Sequence, residues 1–368
     1  MRRKHEEFHD GAKDGLEPLE PLDLNRVEDF DELVAAMGRT AFGGRNLGEA
    51  AEVLTAMVRD PDCFVVGTFS GAMSVAKMGL LICDMIDRGW LKVIITTGAL
   101  VAHGLIENLG LVHYKYRQDR SDRELFLQGY NRIYDTLEME ANLDYAEEIF
   151  REVLAGLDPG QTWSSETLCR ELGRYLAEHT DGPGILRNAY LKGVPVFIPA
   201  FTDSELGLDL AIHLVRQARA GGRAWPEALM ELSLNFNPFL DLGSYTQKAL
   251  AAGKLGIFTV GGGVPRNWAQ QVAPYVDLLQ TRLGQELPEV RFHYGVRLCP
   301  EPAHWGGLSG CTFREGVSWG KFVSPQDGGR FAEVLCDATI AWPLILKAVG
   351  QRLAKSSGQQ AKILKKEV

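Results

Sequence analysis

The chain predicts an α/β fold: a doubly wound, mostly parallel sheet with helices on both faces and an N-terminal helical extension. Three observations carry this: continuous apolar runs of strand length, small or polar residues closing each run, and helical periodicity between them. A strand that is apolar throughout is covered on both faces, as in a parallel sheet, whereas a half-exposed strand alternates. Alternation of such strands with helices gives the doubly wound arrangement.

The first run is Cys63-Phe64-Val65-Val66-Gly67, closed by Ser70-Gly71-Ala72 and followed by helical periodicity from Ala72 to Asp87. The second, Lys92-Val93-Ile94-Ile95, ends in Thr96-Thr97-Gly98-Ala99. Helical periodicity then covers Leu125 to Val153, with an acidic outer face that reads as solvated, and Ser165 to Glu178. Val194-Pro195-Val196-Phe197-Ile198 precedes Phe201-Thr202-Asp203-Ser204-Glu205. Gly256-Ile257-Phe258-Thr259-Val260 leads into Gly261-Gly262-Gly263-Val264-Pro265 and a helix beginning near Asn267. The last run, Glu333-Val334-Leu335-Cys336, ends in Asp337-Ala338. Residues 1–25 are polar and proline-bearing, and Lys355 to Val368 is rich in Lys and Gln; both ends are expected to be mobile or ordered by a partner. The resulting partition is a partly helical extension over 1–59, one large catalytic domain over 60–350 and a Lys/Gln-rich tail over 351–368.

At 368 residues with 45% hydrophobic and 24% charged content, the chain can bury a full core. A net charge of -9 and a pI near 5.5 argue against broad attraction to nucleic acid or anionic lipid and suit a cationic small substrate. The six cysteines show no Cys-x-x-Cys pair and no adjoining histidine spacing, so no metal site is expected and the thiols read as reduced. No apolar run approaches the ~20 residues of a membrane helix. The basic start runs into acidic residues instead of a signal-peptide core, so a cytoplasmic protein is expected.

In open α/β sheets, ligands bind beyond the carboxyl ends of the strands. Ser70-Gly71-Ala72, Thr96-Thr97-Gly98 and Gly261-Gly262-Gly263 all fall there. They read either as tight turns or as a backbone-lined groove for a phosphate or ribose. Gly-x-Gly-x-x-Gly is absent. Asp203 and Asp337 follow strands and suit either ribose hydroxyls or helix N-caps. In Glu315-Gly316-Val317-Ser318-Trp319-Gly320-Lys321, a lysine follows an indole and a glycine. Desolvation beside an aromatic ring lowers a lysine's pKa, and the neutral amine attacks imines and carbonyls; the alternative is an ordinary surface lysine. Glu315 suits a substrate ammonium, or is simply exposed. Trp305-Gly306-Gly307-Leu308-Ser309-Gly310 reads as a loop closing over an alkyl chain, or as a surface turn.

Taken in order, these motifs resemble the deoxyhypusine synthase family from about Asp60 to about Lys347. Val317-Ser318-Trp319-Gly320-Lys321 is similar to its catalytic-lysine motif, Gly261-Gly262-Gly263-Val264 to its triple-glycine loop, and Thr202-Asp203 and Asp337-Ala338 to its cofactor contacts. Thr96-Thr97-Gly98 and Ser70-Gly71-Ala72 fall at its other nucleotide loops. The resemblance implies a Rossmann-like domain that uses NAD to oxidise spermidine. It also implies an aminobutyl group carried as an imine on Lys321 and passed to a protein lysine of a translation initiation factor, or to a small diamine such as putrescine. A homotetramer with sites at the dimer interface is implied as well.

The departures fall among the polyamine-binding acids. Ala102 and His103 stand where eukaryotic members have adjacent glutamates, and Leu208, beside Asp209 and near Glu205, replaces an aspartate. Asn267 replaces the proton-accepting histidine, and Trp305 and Leu308 replace loop acids, while Glu315 persists. A buried ammonium without a carboxylate costs several kcal/mol, so the substrate is expected to differ. This pattern resembles the prokaryotic deoxyhypusine synthase-like branch. His103 is the candidate replacement base, with Trp319, Asn267 and Trp305 as substrate contacts. The alternative is a non-catalytic NAD-binding or assembly protein on the same fold.

Overall fold

The computed structural model describes residues 3–231, 234–307, 309 and 311–364. Helices α1 (Phe30–Gly38) and α2 (Phe42–Arg59) lead into β1 (Cys63–Phe69), α3 (Gly79–Asp87), β2 (Val93–Thr96) and α4 (Gly98–Asn108). An excursion follows through β3 (Tyr114–Lys115), α5 (Asp122–Leu127), β4 (Tyr130–Ile133) and β5 (Thr136–Met139). Then come α6 (Glu140–Ala155), α7 (Ser165–His179), α8 (Ile185–Lys192), β6 (Val196–Phe197), α9 (Glu205–Ala220), α10 (Phe239–Leu250) and β7 (Lys254–Val260). The chain continues through α11 (Gly263–Gln270), α12 (Val272–Leu283), β8 (Phe292–Leu298), α13 (Phe313–Ser318), β9 (Arg330–Val334) and α14 (Ala338–Leu364).

Among the described residues, six strands form a sheet in the order β6-β2-β1-β7-β8-β9, with every pairing parallel. The apolar runs divide residue by residue between its faces, because side chains alternate along a strand. Val65, Ile94 and Phe258 enter one core, with α1 to α4, α6 to α9 and α14. Val66, Ile95 and Ile257 enter the other, with α10 to α13. This is the doubly wound arrangement that the continuous apolar runs predict. The chain winds outward from β1 through β2 to β6 and then returns to β7 on the other side of β1, so the crevice between β1 and β7 is the switch point.

Several elements depart from the sequence expectation. The periodicity over 125–153 is not one helix: Gly129, with φ +71, ends α5, and the hairpin β4–β5 intervenes before α6. Tyr130, Ile133 and Thr136 have strand-forming side chains, and pairing decided between the two periods. Helix α3 starts at Gly79 instead of Ala72, and α11 starts at Gly263, four residues before Asn267. Strand β8, Phe-His-Tyr-Gly-Val-Arg-Leu, was missed because His, Tyr and Arg interrupt its apolar character.

The partition also looks different in three dimensions. Leu54 and Met57 of α2 are wholly buried in the main core, so that core crosses the boundary drawn at residue 60. Helix α14 crosses the boundary at 350 and runs to Leu364, held to α1 by Arg352 Nε and Asp31 at 2.7 Å. Trp342 anchors it, stacked on Phe69 at 5.6 Å. Among the described residues no helix is long and apolar enough to cross a membrane.

Candidate active site

Three adjacent strands present the glycine and hydroxyl loops side by side. Thr97 Oγ1 donates to the Gly71 carbonyl at 2.7 Å, joining the loops after β2 and β1. Ser70 Oγ donates to the Gly262 carbonyl and accepts from the Gly262 N–H at 3.2 Å, joining those after β1 and β7. Gly261 and Gly263, with φ +78 and +55, take backbone conformations that other residues adopt only under strain. A Cβ on Gly262 would lie 2.5 Å from the Ser309 Cα, so Ser309 packs on this turn. Neither Thr97 before α4 nor Gly262 before α11 supplies a side-chain cap. The two helix N-termini therefore keep backbone N–H groups for an anion. Ser204, not Asp203, caps α9, and Asp203 is left exposed. Asp337, by contrast, accepts from Thr339 N at 2.7 Å and Thr339 Oγ1 at 2.9 Å, while Ala338 beside it is buried. The capping alternative therefore describes Asp337 and not Asp203.

The lysine is delivered by a helix end. Thr312 caps α13 by accepting from Glu315 N at 3.1 Å. At the other end Trp319 is followed by Gly320 with φ +66. Lys321 N donates to the Gly316 carbonyl and Gly320 N to the Val317 carbonyl, both at 3.0 Å, a Schellman closure that reverses the chain. The Lys321 carbonyl then accepts from Phe292 N at 3.0 Å, fixing the residue against β8. Gly320→Ala is expected to cost ~1–2 kcal/mol through the left-handed φ, measured by urea denaturation; unchanged stability would mean that this turn is not strained by a Cβ.

Lys321 is 7% exposed. Its Nζ donates to Asn267 Oδ1 at 3.4 Å and lies 5.9 Å from the centre of the Trp319 ring. Among the described residues it has no salt bridge. Burial lowers its pKa and the Arg266 guanidinium adds to this, while Glu315 and Cys311 oppose it. Lys321, Asn267, Glu315 and Trp319 line one cavity of about 390 Å³, together with Arg266, Gln270 and Gly306-Gly307. Asn267 stands four residues after Gly263 on α11, a rise of ~6 Å, so a single helix links the glycine turn to the lysine.

Two sequence candidates lie elsewhere. Trp305 is 70% exposed and is not among the residues lining the cavity, although Ala303, Gly306 and Gly307 around it are. His103 is not among them either: it faces the small β3-β5-β4 sheet, where it meets His113 and Glu138. Of the 305–310 loop, Leu308 and Gly310 lie outside the described residues.

Sequence reasoning missed Arg266 and Gln270. Arg266 is 1% exposed, stacks on Phe313 at 5.4 Å, and among the described residues its Nε and Nη2 have no hydrogen-bond partner. Burial and the charge of Arg297 bring its pKa down to about 10. Its position directly before Asn267 was the available signal. Among the described residues the cavity thus holds two basic side chains, Lys321 and Arg266, against the single carboxylate of Glu315.

The chain is 33% identical to "Probable deoxyhypusine synthase 2" of Methanosarcina acetivorans over 91% of this chain and 90% of that protein. It is 32% identical to "Deoxyhypusine synthase-like protein" of Chlorobaculum parvum, covering 89% and 88% of the two chains. A crystal structure from Entamoeba histolytica whose description carries the same enzyme name superposes with a TM-score of 0.54 at 14% identity. That match covers 90% of this chain and 96% of the other, a likeness of fold. A family model, "Deoxyhypusine synthase", matches residues 32–349, a span that holds both the glycine turns and the buried lysine: the chain belongs to the deoxyhypusine synthase family.

Proposed function

We propose that this protein is an NAD-dependent transferase that carries an aminoalkyl group as an imine on Lys321, from spermidine or a related amine to an acceptor amine. The observation that carries this reading is a buried lysine, without a carboxylate partner among the described residues, beside an indole and one helical turn from a bare glycine cradle. The uncapped N-termini of α4 and α11 and the exposed Asp203 fit a dinucleotide's phosphates and ribose. Ser70-Gly71-Ala72, Thr96-Thr97-Gly98, Asp203, Gly261-Gly262-Gly263 and Ala338 would hold NAD, with Asp337 ordering the last turn. Bound NAD supplies a hydride acceptor and later a hydride donor.

Neutral Lys321 Nζ attacks the carbon of the oxidised donor, displacing the donor's departing amine, which takes up the proton. An acceptor amine attacks the same carbon and frees Nζ. Asn267 Oδ1 orients the lysine, and burial depresses its pKa, which raises the share of neutral amine over that of an exposed lysine. Glu315 pairs with one ammonium of the substrate, and the exposed Trp319 indole offers a second cation a ring face. We take the acceptor to be a protein lysine or a small diamine such as putrescine, and the working unit to be a homotetramer with sites at the dimer interface.

The test is to incubate the protein with NAD and spermidine, reduce with borohydride and weigh the intact chain. A mass increase on wild type and none on Lys321→Ala is expected. NAD binding without any adduct, across spermidine and shorter diamines, would favour a non-catalytic NAD-binding protein instead.

A further inference from the structure

The group His103, His113 and Glu138 takes no part in the chemistry proposed for Lys321. It joins three elements: His103 on α4, His113 just before β3, and Glu138 on β5. Glu138 is wholly buried, and the two imidazoles are 10% and 0% exposed at their side chains. His103 Nδ1 lies 2.5 Å from Glu138 Oε2, and His113 Nε2 lies 3.1 Å from Glu138 Oε1. A buried carboxylate needs a positive charge against it. A proton on either ring would supply that charge through an N–H directed at the carboxylate.

Both imidazole–carboxylate contacts are close enough for ion pairs, yet they are not aligned as hydrogen bonds. Among the described residues, His103 Nδ1, His113 Nε2 and both Glu138 oxygens are buried with no aligned hydrogen-bond partner, although they stand in ion-pair contact. Buried polar atoms without aligned partners are costly singly, and four converging on one point are relieved together by an imidazolium or by a bound cation. One ligand atom from each residue lies within 4.8 Å of the others. An ion with bonds of ~2.0–2.1 Å would set its ligands roughly 3.3 Å apart at tetrahedral angles, so on binding the 2.5 Å contact of His103 Nδ1 with Glu138 Oε2 opens while the ligand atoms, spread over as much as 4.8 Å, draw in. Glu205, at the start of α9, adds negative potential at His103.

We propose that His103, His113 and Glu138 bind one divalent ion of the zinc class, pinning the small antiparallel sheet to α4. Two imidazole nitrogens and one carboxylate oxygen are a borderline donor set that suits Zn²⁺ and leaves a fourth position open. Among the described residues, the contact that opposes it is Lys77 Nζ, 2.8 Å from His113 Nδ1. A neutral His113 bound through Nε2 carries its proton on Nδ1, so Lys77 releases that contact and keeps Glu107, to which it donates at 2.6 Å. Spacings of 10 and 25 residues match no short ligand motif, which is why sequence reading expected no metal.

The test uses the full-length protein without NAD or amine, so its outcome is separate from the fate of the Lys321 reading. After treatment with a chelator and removal of it, the protein is titrated with Zn²⁺ by calorimetry and with Co²⁺ by visible absorption. One ion per chain is expected, with the intense d–d bands of low-coordinate Co²⁺ and a higher melting temperature in Zn²⁺. Glu138→Gln and His103→Asn are expected to weaken binding at least ~100-fold, with folding checked by circular dichroism. Lys77→Gln should bind at least as tightly as wild type, whereas weaker binding would speak for a hydrogen-bonded His-Glu-His chain. Absence of stoichiometric binding to wild type, or binding that Glu138→Gln leaves unchanged, overturns the proposal.

Discussion

Lys321→Arg is expected to leave the fold intact and lower turnover at least ~10³-fold, with no borohydride-trappable adduct. Arginine keeps the apolar stem, the charge and the approach to Trp319, but a guanidinium stays protonated and does not form an imine. The substitution therefore separates nucleophilicity from charge, which Lys321→Ala does not. The trapping rate of the wild type should rise with pH through the lysine's folded pKa. Because burial and Arg266 depress that pKa, the rise lies below the ordinary range near 10.4. Removing a neighbouring positive charge in Arg266→Gln should move the rise to higher pH, and Glu315→Gln should move it lower. Turnover by Lys321→Arg within tenfold of wild type would remove the lysine from the mechanism.

Glu333→Ala is expected to destabilise the protein by ~3–5 kcal/mol and to disturb the site from behind. Arg297 is 1% exposed on β8 and pairs with Glu333 Oε2 on β9 at 2.9 Å. The same guanidinium donates to the carbonyls of Ser309 and Cys311, and Glu333 Oε1 accepts from Phe313 N at 2.8 Å at the start of α13. One ion pair, buried at Arg297 and half-buried at Glu333, thus fixes both Ser309 and the helix that delivers Lys321. Cutting it back to alanine leaves a buried guanidinium unpaired and frees the first N–H of α13. The checks are urea denaturation and a separation of kcat from KM under conditions where the variant is folded. A loss below ~1 kcal/mol would mean that water solvates Arg297 well enough to replace the carboxylate.

Some features were legible because they are local. Strand-length apolar runs announce a sheet covered on both faces whatever lies on those faces, and β1, β2 and β7 appear where the runs stand. Glycines at Gly261, Gly263 and Gly320 mark backbone conformations that depend on one residue and its neighbours. The hairpin β4–β5 was read as helix because its residues satisfy both periods over a short window, and only pairing with β3 decides between them. Strand β8 was invisible because a buried Arg297 is tolerable only when Glu333 is already beside it.

By itself, then, the sequence determined the winding of the sheet, the loops at its carboxyl edge and the turn that presents Lys321. Tertiary structure alone decided what surrounds the lysine: Arg266 buried against Phe313, Asn267 reaching it across α11, and His103 turned away toward Glu138. The division has one physical cause. Strand and turn formation depend on interactions a few residues apart, whereas desolvation and charge pairing depend on groups that the chain brings together from as far as Asn267 and Lys321, 54 positions apart.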